Sequence, residues 1–136
     1  MKNRCKVGSW VLCANSFDVY LFQGEGGSSV FPGNGRAKMY IEVGAWSPWH
    51  RVIKVFLHEL IESALFFNRA VLNPACDLAP ANLDRFTYHF DHPTLSIVCD
   101  AAGDVMYSAL PALKRTYVKV RKEMRKESNK HARTRT

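Results

Sequence analysis

Residues 52–67 read VIKVFLHELIESALFF, an apolar run that places one histidine and two glutamates within five positions. Apolar residues recur along it at helical spacing, and they are Ile53, Phe56, Leu57, Leu60, Ala64 and Phe67. We therefore predict an amphipathic helix from about Pro48 to about Arg69. Ser47 is suited to cap its N-terminus, and Pro48 suits the first helical position.

The polar side chains of this helix are candidates for a metal site. His58 and Glu62 stand four residues apart, so a helix brings them to one face, where they can bind one ion. Glu59 is rotated by about 100° and takes the position of a general base that accepts a proton from an attacking water. A His–Glu pair at this spacing is also an ordinary helix-surface pair, worth only about 0.2–0.5 kcal/mol.

A metal site of this kind needs a third protein ligand, which must come from another part of the chain. We predict His92, because it stands at the start of a second helix. Asp100 is the alternative, and it would point inwards if the second helix packs against the first. The other candidates that the sequence offers are His89, Asp91 and Asp104. Zinc is the expected ion, although a carboxylate ligand also suits another divalent metal such as manganese or iron(II).

The remaining pattern predicts an α+β fold. Strands are expected at 9–13, 18–22 and 38–43, and a Gly- and Ser-rich loop at 24–36. The second helix is expected to begin at Asp91-His92-Pro93 and to end or kink at Pro111. We expect a small antiparallel or mixed sheet packed against the helix that carries His58 and against the second helix.

The 136 residues suffice for one domain, which we place at 1–113 and which a basic tail at 114–136 follows. The net charge of +7 belongs to that tail, because ten of the 19 Lys and Arg residues lie there beside only two acids. Such a tail can bind nucleic acid through phosphate contacts, or contact a partner protein. The alternative is a solvated helix with a disordered end.

The sequence also indicates the cellular compartment in which the protein is expected. No apolar stretch reaches the length of a membrane span, and no secretory signal pattern follows Met1. The four cysteines form no CxxC pair, so they are expected to be reduced thiols and not a zinc knuckle. We therefore expect a cytoplasmic protein that does not associate with membranes.

Three stretches carry a resemblance to a known group of enzymes. They are Tyr40-Ile41-Glu42-Val43, Ser47-Pro48 and Val55-Phe56-Leu57-His58-Glu59-Leu60-Ile61-Glu62. This order resembles the edge strand and active-site helix of small zincin-type metallopeptidases, such as the ImmA/IrrE-like and SprT-like groups. Together with Asp91-His92-Pro93-Thr94-Leu95-Ser96, it more closely resembles small proteins of phages and mobile elements. The resemblance covers about residues 38–110.

The resemblance implies a zincin-like fold and a metal-dependent hydrolase that cleaves peptide or protein substrates. His58 and Glu62 would bind the metal, and Glu59 would be the general base. The strand at 38–43 would pair with an extended substrate, in the cytoplasm of a bacterial host if the protein is phage-encoded. Glu62 departs from the histidine of the peptidases. The alternative function is therefore that of a non-catalytic phage structural or regulatory protein that uses its basic tail.

Overall fold

The computed structural model describes residues 4–31, 38–68, 71–72, 87–88 and 91–133. Its elements are β1 (Arg4–Leu12), β2 (Asn15–Phe22), β3 (Gly27–Val30), β4 (Met39–Gly44), α1 (Trp49–Phe67), β5 (Val71–Leu72), β6 (Thr87–Tyr88) and α2 (His92–Arg133). The first four strands form one mixed sheet, and β5 and β6 form a separate two-stranded ribbon. The predicted α+β class, with a mixed sheet and two helices, is confirmed.

The strand order in the sheet is β1-β2-β4-β3. A tight hairpin joins β1 to β2, and its two turn residues, Cys13 and Ala14, both have positive φ. Such a turn matches the natural twist of two antiparallel strands. β4 then pairs in parallel with β2, and β3 pairs antiparallel with β4. This arrangement places β3 at an edge of the sheet and β4 in its interior.

The edge strand β3 is a departure from the sequence prediction, which assigned residues 24–36 to a loop. Its residues are Gly27, Ser28, Ser29 and Val30, and only Val30 favours a strand intrinsically. Its hydrogen bonds to β4 and its packing on α1 override that weak preference. The prediction that the strand at 38–43 pairs with a substrate is therefore wrong, because β2 occupies one side of β4 and β3 occupies the other.

The buried face of α1 packs against the sheet, but it is rotated from the predicted stripe. Phe56, Leu60 and Ala64 are buried as expected, whereas Leu57 is exposed. Glu59 and Ser63 are buried instead, on the side that β3 covers. The predicted Ser47 cap is also absent, because the N-cap position is held by Pro48 and makes no side-chain hydrogen bond.

The second helix, α2, begins where it was predicted to begin. The Asp91 carboxylate accepts a hydrogen bond of 2.9 Å from the backbone N–H of Thr94, which caps the helix. Pro111 does not end it, since α2 continues to Arg133. A proline removes one helical hydrogen bond, and the apolar residues that follow it compensate by packing on the core.

The boundary predicted at residue 113 marks no structural break. Beyond it, Tyr117 and Val120 are buried in the same core as the sheet and α1. The Tyr117 hydroxyl donates a hydrogen bond of 3.1 Å to the carbonyl oxygen of Ser47, and Arg121 donates one to the carbonyl of Trp46. The first part of the predicted tail therefore belongs to the folded body.

Candidate metal centre

Three side chains of α1 converge at the predicted site. One potential ligand atom from each of His58, Glu59 and Glu62 lies within 4.8 Å of the others. No other group of this kind, with three or more His, Cys, Asp or Glu side chains, occurs among the described residues. The i, i+4 spacing brings His58 to Glu62, and the i, i+3 spacing brings Glu59 to Glu62.

The His58–Glu62 pair has a separation that suits two ligands of one ion. The distance from His58 Nε2 to Glu62 Oε1 is 3.5 Å. Two donors of a tetrahedral zinc ion with bonds near 2.1 Å lie about 3.4 Å apart. Both side chains also reach solvent, with 65% of His58 and 37% of Glu62 exposed. An ion can therefore reach this pair from solvent.

Glu59 differs from its two neighbours because it is buried. Only 6% of its surface is exposed, and it lies on the side of α1 that faces β3. The Ser29 hydroxyl, from β3, donates a hydrogen bond of 2.7 Å to Glu59 Oε2. The other carboxylate oxygen, Oε1, lies against Gly27, where an added Cβ would stand 3.2 Å from it. A larger residue at that position would crowd the carboxylate.

A second serine supports this contact from within α1. Ser63 is fully buried, and its hydroxyl lies 2.7 Å from the carbonyl oxygen of Glu59 and 3.1 Å from Ser29 Oγ. The backbone and the carboxylate of Glu59 are thus both tied into one hydrogen-bonded group of hydroxyls. Buried polar groups that are satisfied in this way hold a fixed orientation.

The surroundings of Glu59 change its acidity. Burial raises the pKa of its carboxyl group, the hydrogen bond from Ser29 opposes that change, and the nearby charge of Glu62 adds to it. Protonated His58 would act in the opposite direction. Within the described part of the chain, no Lys or Arg forms an ion pair with Glu59. A carboxyl group with a raised pKa beside two exposed donors is typical of a functional site.

Neither serine was predicted from the sequence. Ser63 stands four residues after Glu59, so helical spacing could have placed the two together. Ser29 offered no such signal, because it lies 30 residues away in a segment whose composition indicates a loop. Its contact with Glu59 depends on β3 pairing with β4, which only the folded chain reveals.

The third ligand stays a prediction. His92 is the first residue of α2 and is exposed, and it does not belong to the group that His58, Glu59 and Glu62 form. Asp100 is also outside this group and is exposed, so its expected inward direction is wrong; the buried side of α2 carries Val98 and Ala102 instead.

The remaining candidates for the third ligand are Asp91, Asp104 and His89. Asp91 caps α2 through Thr94, and this hydrogen bond lowers the pKa of its carboxyl group. Asp104 is exposed on α2 and lies outside the group. His89 lies outside the described residues.

The donor atoms of His58, Glu59 and Glu62 restrict which metal ions this group can bind. One imidazole nitrogen and carboxylate oxygens are ligands that zinc, manganese and iron(II) accept, whereas sites for soft ions are rich in sulfur. The three described cysteines, Cys5, Cys13 and Cys99, are free thiols that do not join the group. The residues present therefore fit a divalent ion of the first transition series.

Comparison with known proteins identifies no relative, since no protein family, curated protein or solved structure matches the chain. Among the described residues, neither helix has an apolar stretch long enough to cross a membrane.

Proposed function

We propose that this protein is a metal-dependent hydrolase of the zincin type that acts on peptide bonds. The proposal is carried by one observation: the solvent-accessible pair His58 and Glu62, with 3.5 Å between its donor atoms, lies beside the buried, hydrogen-bonded carboxylate of Glu59. An exposed pair alone is common on helices. A buried acid next to it is costly to maintain without a role.

His58 and Glu62 would hold the ion, together with a third ligand from elsewhere in the chain. A divalent ion bound there would polarise the substrate carbonyl and make water a stronger nucleophile. Glu59 would accept the proton of the attacking water and then donate it to the leaving amine. The hydrogen bond from Ser29 keeps Oε2 of Glu59 engaged, which would leave Oε1, the oxygen beside Gly27, to accept that proton.

The edge strand β3 would bind the substrate. It is the outermost strand of the sheet beside α1, and no other described strand pairs with its outer side. An extended peptide can pair with such an edge through backbone hydrogen bonds. Because Ser29 of β3 contacts Glu59, a peptide paired there would run close to the base.

The experiment is a turnover assay on the full chain, loaded with zinc or manganese, against casein and a mixed peptide library. Glu59→Gln is expected to keep the bound metal and to lose turnover by about 100-fold or more. Glu123→Gln, an exposed acid of α2, is the matched control and should cleave like the wild type. A metal-loaded wild type that cleaves nothing, or a Glu59→Gln variant with full activity, would overturn the proposal.

A further inference from the structure

The C-terminal half of α2 carries a row of cations along one side. Arg115, Lys119, Lys122 and Lys126 follow one another at intervals of four, three and four residues. At 100° per residue, these intervals keep all four within an arc of about 60° around the helix axis. All four side chains are exposed. We call these four residues the basic stripe.

The stripe is not neutralised by acids of the folded body. Lys and Arg side chains of the sheet form ion pairs with Asp18 and Glu42, and none of these pairs includes a residue of the stripe. The two acids of this part of α2, Glu123 and Glu127, lie about 70° and 110° to one side of the centre of the stripe. Glu127 instead lies 3.5 Å from the side-chain amide of Gln23.

The position of the stripe makes it accessible to a large partner. Among the side chains of α2 that the structure describes, Val120 is the last buried one, and every side chain at 125–130 is exposed. The end of the helix therefore extends past the core to which Tyr117 and Val120 fix its earlier turns. The four charges span about 16 Å along a rigid rod, at 1.5 Å per residue.

A linear polyanion is the partner whose charge matches this geometry. Duplex nucleic acid carries about one negative charge per 1.7 Å of its axis, so a row of cations about 16 Å long can contact several phosphates at once. An anionic membrane fits less well, because the apolar side of this part of α2 is already used in the core. The stripe also has no aromatic side chain on which the bases of a single strand could stack.

We propose that the basic stripe binds the phosphate backbone of duplex nucleic acid without regard to sequence. Phosphate contacts made by such a row of cations position a protein on the duplex but carry no sequence information. The contacts of the stripe therefore supply affinity and not specificity. This binding is independent of the proposed hydrolysis, because the stripe shares no residue with the group on α1.

The test measures fluorescence anisotropy of a labelled duplex DNA of arbitrary sequence with the full chain at several salt concentrations. Four phosphate contacts predict a slope of log K against log salt of roughly −3 to −4, or about 100-fold weaker binding at 200 mM than at 50 mM. Lys119→Gln/Lys122→Gln should reduce the steepness of that slope by about 2 and weaken binding at 50 mM by about tenfold or more. Lys119→Arg/Lys122→Arg should bind like the wild type.

The matched control removes two charges from a different surface. Arg51 and Lys54 are exposed on α1, and Arg51→Gln/Lys54→Gln lowers the net charge equally. It should leave the slope unchanged if the stripe is the contact. The proposal is overturned if the wild type does not bind duplex DNA at 50 mM salt, or if the two double glutamine variants lose affinity equally. It is also overturned if polyglutamate or vesicles containing phosphatidylserine bind as tightly as the duplex does.

Discussion

The Ser29 hydroxyl on β3 donates a hydrogen bond of 2.7 Å to the Glu59 carboxylate on α1. This contact joins the edge of the sheet, where an extended peptide can pair, to the side chain that we propose as the base. It also joins a Gly- and Ser-rich stretch to an apolar helix, two segments for which the sequence predicted no contact.

Ser29→Ala tests whether that contact positions the base. The Ser29 hydrogen bond lowers the pKa of Glu59, so its loss leaves the effect of burial less opposed. We expect the acidic limb of the pH–activity profile to move to higher pH and the maximal turnover to fall by about tenfold. Metal affinity should stay unchanged.

The adjacent serine provides the control for this variant. Ser28 points to the opposite face of the sheet, where its hydroxyl lies 3.3 Å from Glu42 Oε1. Ser28→Ala should therefore keep the wild-type profile. If both serine variants moved the acidic limb equally, the effect would belong to the stability of β3 and not to Glu59.

Burial of Glu59 predicts a pH-dependent cost in stability. Its pKa in the folded chain is raised, so the stability contributed by the neutral form is present at acid pH and is lost as the pH rises through that raised pKa. In protein freed of metal with a chelator, Glu59→Gln should therefore have a higher Tm than the wild type at pH 7. The difference should shrink as the pH falls and vanish below about pH 4, where a glutamate in the unfolded chain is itself protonated. A Tm difference that does not vary with pH would contradict this account.

Asp18 on the open face of the sheet should act in the opposite direction. Burial disfavours its charge, but Lys38 at 2.7 Å, Ser9 and Lys6 outweigh burial and hold its pKa well below its usual range. A lowered pKa contributes stability above about pH 4, and this stability is lost as the pH falls through the lowered value.

Asp18→Asn should therefore cost roughly 1–3 kcal/mol in the free energy of unfolding at pH 7, as measured by urea denaturation. The difference from the wild type should shrink as the pH falls below about 4. Glu25→Gln changes an exposed acid and serves as the control with no expected cost. Equal losses in both variants at pH 7 would mean that the network around Asp18 adds nothing beyond its charge.

Two truncations test where the folded body ends. A chain that stops after Leu113 lacks Tyr117 and Val120, which are buried, and the hydrogen bond from Tyr117 to Ser47. We expect it to lose about 3–5 kcal/mol in the free energy of unfolding. A chain that stops after Met124 keeps these contacts and should unfold at nearly the wild-type temperature. If both truncated chains were as stable as the full chain, residues 114–124 would be a tail after all.

Local patterns predicted much of this fold. The β-rich runs of β1 and β2, the alternation in β4, the apolar stripe of α1 and the start of α2 at Asp91-His92-Pro93 are each encoded within a few consecutive residues, as is the i, i+4 relation of His58 to Glu62. The predictions that were wrong concern features that depend on tertiary contacts. β3 has poor intrinsic propensity and forms because β4 offers it a partner. α2 continues past Pro111 because the core accepts Leu113 and the residues beyond it.

The burial of Glu59 could not be predicted for the same reason. The period of α1 fixes which residues share a face, but the neighbouring elements decide how much of that face is covered. β3 covers the side with Glu59 and Ser63 and leaves Leu57 exposed. This rotation of the buried face away from Leu57 placed Glu59, which the sequence predicted only as a general base, among the buried residues.

The most direct test of the proposed metal centre is isothermal titration of Zn²⁺ and Mn²⁺ into metal-free protein. The wild type should bind one ion per chain, and His58→Ala and Glu62→Ala should each weaken that affinity by about 100-fold or more. His50→Ala removes another exposed histidine of α1 and should bind like the wild type. Binding that is absent in the wild type, or unchanged in both His58→Ala and Glu62→Ala, would contradict a metal centre at this site.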